Sequence, residues 1–400
     1  MIITTKAEFL TLLKGATFLA SGGGGPYSLA KSVVEYYFSD SDTFSIEITE
    51  LEVLTHSDWV CVVAGMADPS KAQSLKPNDF IESTVNSVNT MEKLIKTVYA
   101  TQTSSPLYNF SAFNNLVLGE MGAMNVVIPL MTAYKLGDGI SVVNGDSVGR
   151  SAPTINLTTF ASSQQVMPNM ATPPGNSSDF TTLSLDTYSD LSAAYSQLIG
   201  AGVLGKAVGM SLAPMDGATL QDNNLVNNTL ADAYYIGTIL ENSQNSDSKI
   251  ENITSCMNIS FRGVKHICSG KVVAFKTESI DEADVGYMSI KTADSRIFTV
   301  SIQNETITGQ FEDEISIAVT GPDSICYLST SGGAIPDSKI YDNTLIQEQF
   351  ENGEDVEIHV IAIQADAVIR SNDILMTSWS DTYKKARYYG KYNNTLWTTI

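Results

Sequence analysis

Three short segments concentrate the residue types that bind and transform small polar molecules. Ser21-Gly22-Gly23-Gly24-Gly25-Pro26 sets four glycines in a row, which removes every Cβ and carries a backbone-entropy cost that a mere connector has no reason to bear. At a helix start, such a loop can aim several backbone N–H groups at an anion or a carbonyl oxygen. A bare flexible turn is the other reading. Neither GxGxxG after a strand nor the phosphate-loop lysine pattern is present, so nucleotide binding ranks lowest. Gly119-Glu120-Met121-Gly122-Ala123-Met124-Asn125 follows an apolar run and opens a helix, which in an open α/β sheet is the edge where ligands sit. Glu120 there serves as base, metal ligand or hydrogen-bond acceptor, or else caps the helix together with Asn125. Asn144-Gly145-Asp146-Ser147-Val148-Gly149-Arg150 gathers an amide, a carboxylate and a guanidinium at the same expected edge. Asp146 could bind a metal or orient water, and Arg150 could clamp an anionic group bidentately; a turn with an internal Asp–Arg pair remains the alternative.

Other chemistries lack their residues. His266-Ile267-Cys268 could direct two metal-binding side chains to one strand face, but no second pair completes a structural zinc site. The histidines are His56, His266 and His359, so a three-histidine zinc centre would need all of them from scattered positions. No nucleophile elbow is present, while a Ser-His-Asp arrangement, being spatial, stays open. Cys61 lies in an apolar run and reads as a buried inert thiol. The four cysteines are too sparse for a disulfide framework and form no CxxC pair, which points to a reduced, cytoplasmic protein. With 44 acidic and 23 basic residues the net charge is −21, leaving no broad basic face for nucleic acid or anionic membrane. No apolar run reaches the roughly 18 residues needed to span a bilayer, and Lys6, Glu8 and Lys14 interrupt the N-terminal stretch that a secretory signal would keep unbroken.

These segments must be held by regular elements. Apolar spacing predicts helices over residues 9–19, 27–38, 85–98 and 124–134, with strands at 59–64, 116–118 and 140–143. Strands alternating with helices imply parallel pairing in a layered α/β unit. The stretch from Gln164 to Ser178 holds three prolines, a glycine and small polar residues, a linker composition that divides the chain into an N-terminal domain, residues 1–165, and a C-terminal one, 166–400. Beyond it, helices at 191–199 and 225–240 flank a strand at 207–212. Short strands at 259–261, 271–275, 297–302, 315–319 and 356–363 then favour an antiparallel barrel or sandwich, making the domain mainly β from about residue 255 to 365.

The segments LASGGGGP (19–26), GEMGAMN (119–125) and VVNGDSVGRSAP (142–153) together resemble the successive signatures of the S-methyl thiohydantoin desulfurase family, which is linked with hydantoinases and oxoprolinases. The resemblance continues through Ser269-Gly270-Lys271-Val272, Gln303-Asn304-Glu305 and Gly321-Pro322-Asp323-Ser324-Ile325. It implies an N-terminal three-layer α/β domain and a largely β, barrel-like C-terminal domain. It also implies hydrolysis of a thiohydantoin ring at the carbon bearing the methylthio group, giving a hydantoin and methanethiol. Carried over residue by residue, Glu120 and Asp146 would be catalytic. Gly22, Gly23, Gly24, Gly25, Asn125, Asn144, Arg150, Asn304 and Glu305 would bind substrate, the last two approaching from the β domain. The chain departs from the family at Asn144, commonly an aspartate, and at Pro26, where an acidic residue usually follows the glycines. The expected cofactor is left open, a divalent metal ion being the candidate. The expected partner is a small-molecule substrate, with homo-oligomerisation and association with a hydantoinase or oxoprolinase also open. The rival reading is a non-catalytic subunit of such an assembly.

Overall fold

The computed structural model describes residues 1–67, 76–162, 167–175, 179–205, 207–222, 225–243, 245–259, 262–280, 283–330 and 341–398. The chain opens with β1 (Ile2–Thr5), and Thr5 starts the Lys6–Leu19 helix through a capping box: its hydroxyl accepts from the Glu8 N–H at 3.2 Å, and the Glu8 carboxylate accepts from the Thr5 N–H at 3.1 Å. Pro26 precedes the Tyr27–Tyr37 helix. The first sheet then takes β2 (Thr43–Thr49), β3 (Trp59–Ala67), β4 (Asn115–Leu118), β5 (Ser141–Asp146), β6 (Met170–Thr172), β7 (Ala207–Asp216) and β8 (Val226–Asn227). Its order is β1-β2-β5-β4-β3-β7-β6, with β8 on β5. The pairs β2–β5, β5–β4 and β4–β3 are parallel, as the alternation of strands and helices implies, and antiparallel strands flank them.

Successive side chains of β3 point to opposite faces, and the two faces feed different cores. Cys61 and Val63 join the core built with the helices Lys6–Leu19, Tyr27–Tyr37, Asp79–Leu94 and Ala123–Leu136. Val60 and Val62 join the one built with the Tyr188–Gly200 helix. The sheet is therefore the middle of three layers, as expected for this α/β class. The second sheet comprises β9 (Val264–Ile280), β10 (Ala283–Thr292), β11 (Ile297–Gln303), β12 (Glu305–Phe311), β13 (Val319–Thr320), β14 (Ser324–Ser329) and β15 (Glu357–Ile363). It is wholly antiparallel in the order β13-β12-β11-β10-β9-β15-β14 and curls into a half-barrel. Ile358, Val360 and Ala362 of β15 fill its own core, while Ile361 and Ile363, on the opposite face, join the first helix-lined core.

Several expectations change. Ile259 closes the Ser246–Ile259 helix instead of opening a strand, and residues 260–261 of that expected strand lie outside the described residues. The helix expected from residue 225 starts at Thr229, because Val226 and Asn227 pair with Asp146 and Gly145. Of the strand expected at 315–319 only Val319 remains in β13, and Ile315 is fully exposed. The helix expected at 85–98 begins at Asp79 and widens into a π-helix over Ile95–Tyr99. The expected division near residue 165 falls on residues 163–166, outside the described residues, and the first sheet takes β6, β7 and β8 from beyond it.

Candidate active site

The glycine run lies between the first two helices and is tied to the second sheet and to two further helices. Ser21, Gly22, Gly24 and Gly25 all have left-handed φ, between 55° and 81°. The Ser21 carbonyl accepts from the Thr306 N–H at 2.9 Å and its hydroxyl from the Ile325 N–H at 3.1 Å, fixing the loop to β12 and β14. The Gly22 carbonyl accepts from the Asn343 N–H at 2.9 Å, and the Gly24 carbonyl from the Met124 N–H at 3.0 Å. The glycines permit contact that no side chain would. A Cβ on Gly23 would lie 2.3 Å from Glu305 Oε1, and one on Gly24 would lie 2.6 Å from the Gly122 Cα.

Against this loop stand two carboxyl groups. Glu120 comes from the turn between β4 and the Ala123–Leu136 helix; Glu305 opens β12, just after Asn304, which turns the hairpin with φ 59°. Between them sits the Ser151 hydroxyl, 3.0 Å from Glu120 Oε1 and 3.1 Å from Glu305 Oε1. Asn125 Nδ2 also donates to Glu120 Oε1 at 2.7 Å, and the Ala152 N–H to Glu120 Oε2 at 2.6 Å. Burial pushes both carboxyls well above the ordinary carboxylate range. Glu120 is driven further by the like charge of Glu305, while the Arg150 guanidinium draws Glu305 back down. A serine hydroxyl carries one hydrogen and cannot donate to both groups. The arrangement closes when one of the two carboxyls holds a proton and donates it to Ser151 Oγ, which in turn donates to the other. Glu120, Asn125, Asn304 and residues 23–26 keep part of their surface open to solvent, whereas Glu305 is 5% exposed. Glu305 is thus the more buried member of the pair.

The structure brings Gly22, Gly23, Gly24, Gly25, Glu120, Asn125, Asn304 and Glu305 together, and sends three other expected residues elsewhere. Asp146 is fully buried, and its Oδ1 accepts from the Val148 and Gly149 N–H groups at 2.7 and 2.6 Å. It shapes its own turn. Burial raises its carboxyl to about 6. Arg150 is also fully buried and donates to the carbonyls of Ser151, Asp323 and Thr306 at 2.8, 2.6 and 2.7 Å, with its guanidinium over the Trp379 ring. Those bonds leave it gripping backbone where a substrate carboxylate was expected. Asn144 Nδ2 donates to Glu50 Oε2 at 2.8 Å, and its Oδ1 accepts from the Ala231 N–H at 3.1 Å, so it holds the start of the Thr229–Asn242 helix. Asp146 and Arg150 nonetheless bracket the turn that presents Ser151.

Sequence reasoning missed Ser151 and Asn343. Ser151 adjoins a segment already singled out, but the two acids it stands between are 31 and 154 residues away in sequence, so no local signal pointed to it. Asn343 Nδ2 donates to the Asn304 carbonyl at 3.2 Å while its Oδ1 is buried without a partner; nothing local distinguishes it from other asparagines. Asp342 next to it is also unannounced: Oδ1 caps its own helix through the Leu345 N–H at 2.8 Å, and Oδ2 accepts from the Tyr27 N–H at 3.2 Å. One carboxylate therefore holds two helix starts. Among the described residues, no group of three or more His, Cys, Asp or Glu side chains is arranged to hold a metal ion, and no helix is long and apolar enough to cross a membrane.

The family model S-Me-THD-like, N-terminal domain, matches residues 7–181, and S-Me-THD-like, C-terminal domain, matches residues 200–377. No curated protein matches the chain. A crystal structure of a protein from Chromobacterium violaceum is similar over 98% of this chain and 99% of that one, with a TM-score of 0.78 and 20% identity. That likeness extends to the fold.

Proposed function

Because the chain belongs to the S-Me-THD-like family, we propose that it hydrolyses a small S-methyl thiohydantoin-type ring, with Glu305 as general base and Glu120 as general acid. The observation that carries this reading is the Ser151 hydroxyl lodged between a half-buried carboxyl, Glu120, and a buried one, Glu305, 3.0 and 3.1 Å away. Ionised Glu305 takes a proton from water, whose oxygen bonds to the ring carbon bearing the methylthio group. Glu120 gives its proton to the departing sulfur as the C–S bond breaks, releasing methanethiol. Water's second hydrogen ends on the ring nitrogen, which leaves a hydantoin. Ser151 returns the proton from Glu305 to Glu120 and restores the pair. Asn125, Asn304 and the backbone of Gly22–Gly25 orient the ring, while Asp146 and Arg150 act through the turn that carries Ser151. This is general acid–base catalysis by two groups whose surroundings separate their proton affinities. Four unpaired thiols, at Cys61, Cys256, Cys268 and Cys326, fit a reducing compartment such as the cytoplasm.

The test is methanethiol release by the purified chain from S-methyl thiohydantoins. Wild type should turn over, and Glu120→Gln and Glu305→Gln should each lose roughly 10²–10⁴-fold in kcat. Unchanged turnover in both variants removes the pair from the chemistry. An inert wild type that co-purifies at fixed ratio with a hydantoinase-type enzyme identifies a non-catalytic subunit instead.

A further inference from the structure

The second sheet carries a cluster that the proposed reaction does not use and that shares no residue with its site. β9 and β15 pair with Ser269 opposite His359 and His266 opposite Ile361, and the register shifts between Val360 and Ile361. Positions three apart on a regular strand face opposite ways. The irregularity lets His266 and Ser269 share one face with His359 and turns Cys268 into the sheet's own core. The expected His266–Cys268 pair is thereby replaced by two imidazoles from neighbouring strands. His266 Nε2 lies 3.2 Å from His359 Nδ1, and Ser269 Oγ lies 2.8 Å from the first nitrogen and 2.6 Å from the second.

We propose that His266 and His359 chelate one divalent transition cation of the zinc, nickel and copper class, with the Ser269 hydroxyl beside it. Two imidazole nitrogens bound at about 2.0–2.1 Å in tetrahedral geometry stand about 3.3 Å apart, and this pair is already at 3.2 Å. Imidazole suits that class of metals. His359 is 8% exposed and its Nε2 is buried without a partner, so no hydrogen bond at that nitrogen fixes which ring nitrogen carries the proton. His266 is exposed, which leaves an entry path from solvent.

The full chain should be titrated with Zn²⁺ by calorimetry and loaded with Cu²⁺ for electron paramagnetic resonance. The expected result is one ion per chain with two coordinated imidazole nitrogens. His266→Ala should weaken binding by more than the roughly 10–100-fold typical of outer-shell changes, and it removes an exposed side chain. His359→Gln, with folding checked by circular dichroism, should do the same. Equal affinity in wild type and His266→Ala, or a copper spectrum without two imidazoles, overturns the site.

Discussion

Glu120 and Glu305 share one hydroxyl because burial leaves no room for two full negative charges side by side. Activity therefore needs one protonated and one ionised carboxyl. The profile of kcat/KM against pH should be bell-shaped, falling on the acid side as Glu305 takes up a proton and on the alkaline side as Glu120 loses its own. Both limbs should lie above the ordinary carboxylate range near 4.3. A flat profile from pH 5 to 9 would dissociate the pair from turnover. Arg150 supports the same pair from behind while binding three carbonyls. Arg150→Met should destabilise the fold by about 3–5 kcal/mol in urea unfolding, since it strands those acceptors and leaves Glu305 without its neighbouring cation. At this scale the sequence was partly legible. Glu120 was conspicuous in its glycine-flanked turn, but Asp146 looked equally able, and only burial separates a carboxylate that shapes a turn from one that meets solvent.

The elements explain why glycine recurs where chains cross. On the facing helices Lys6–Leu19 and Thr229–Asn242, a Cβ on Gly15 would lie 1.7 Å from the Ala233 carbonyl oxygen, and one on Gly237 would lie 1.9 Å from that of Thr11. Overpacking of this kind typically costs about 1–3 kcal/mol, so Gly15→Ala should lower Tm by several degrees without touching the site. Gly23→Ala makes the complementary case. Its Cβ would press on Glu305 Oε1, a side-chain end, so turnover should fall far more than Tm. A variant with native turnover would show that the loop does not need its close approach. Helices of the first sheet's layers were easy to read because apolar spacing marks them, and Pro26 precedes one, whereas Ser246–Ile259, Asn343–Glu351 and Asp373–Lys385 escaped. Strands β1, β2, β6, β8, β10, β12 and β14 escaped, being short or built from mixed polar and apolar residues, as in ETITGQF of β12. Their pairing is decided by partners far away in sequence.

On the scale of the molecule, the site exists because the two sheets meet at the glycine loop: Thr306 and Ile325 of the second sheet bond Ser21, while Gly24 bonds Met124 beside the first. No local pattern announces such a junction, and the resemblance to the family was the only sequence signal that joined the segments. The same burial leaves a trace in stability. Asp146, Asp323 and Asp342 are each raised to about 6 from 3.8. The folded state therefore holds their protons more tightly than the unfolded chain. That contribution is complete below about pH 4 and is lost as pH rises through 6, about 3 kcal/mol for each group. The net charge of −21 acts in the same direction. Half-buried Glu8, whose carboxyl is held low by Thr4 and Thr5, pulls the other way but is partly screened by solvent. Calorimetry should show a higher Tm at pH 5 than at pH 7; a Tm that falls on acidification contradicts this burial.

The proton between the two glutamates can be observed directly by infrared spectroscopy, through the carbonyl stretch of a neutral carboxylic acid at pH 7. Wild type should show that band, and Glu120→Gln should show it clearly weakened, because the amide replaces the partner whose proton is held most tightly while Glu305 stays beside Arg150. A band of the same intensity in both proteins would mean that the proton resides elsewhere, and the acid–base pair would have to be abandoned.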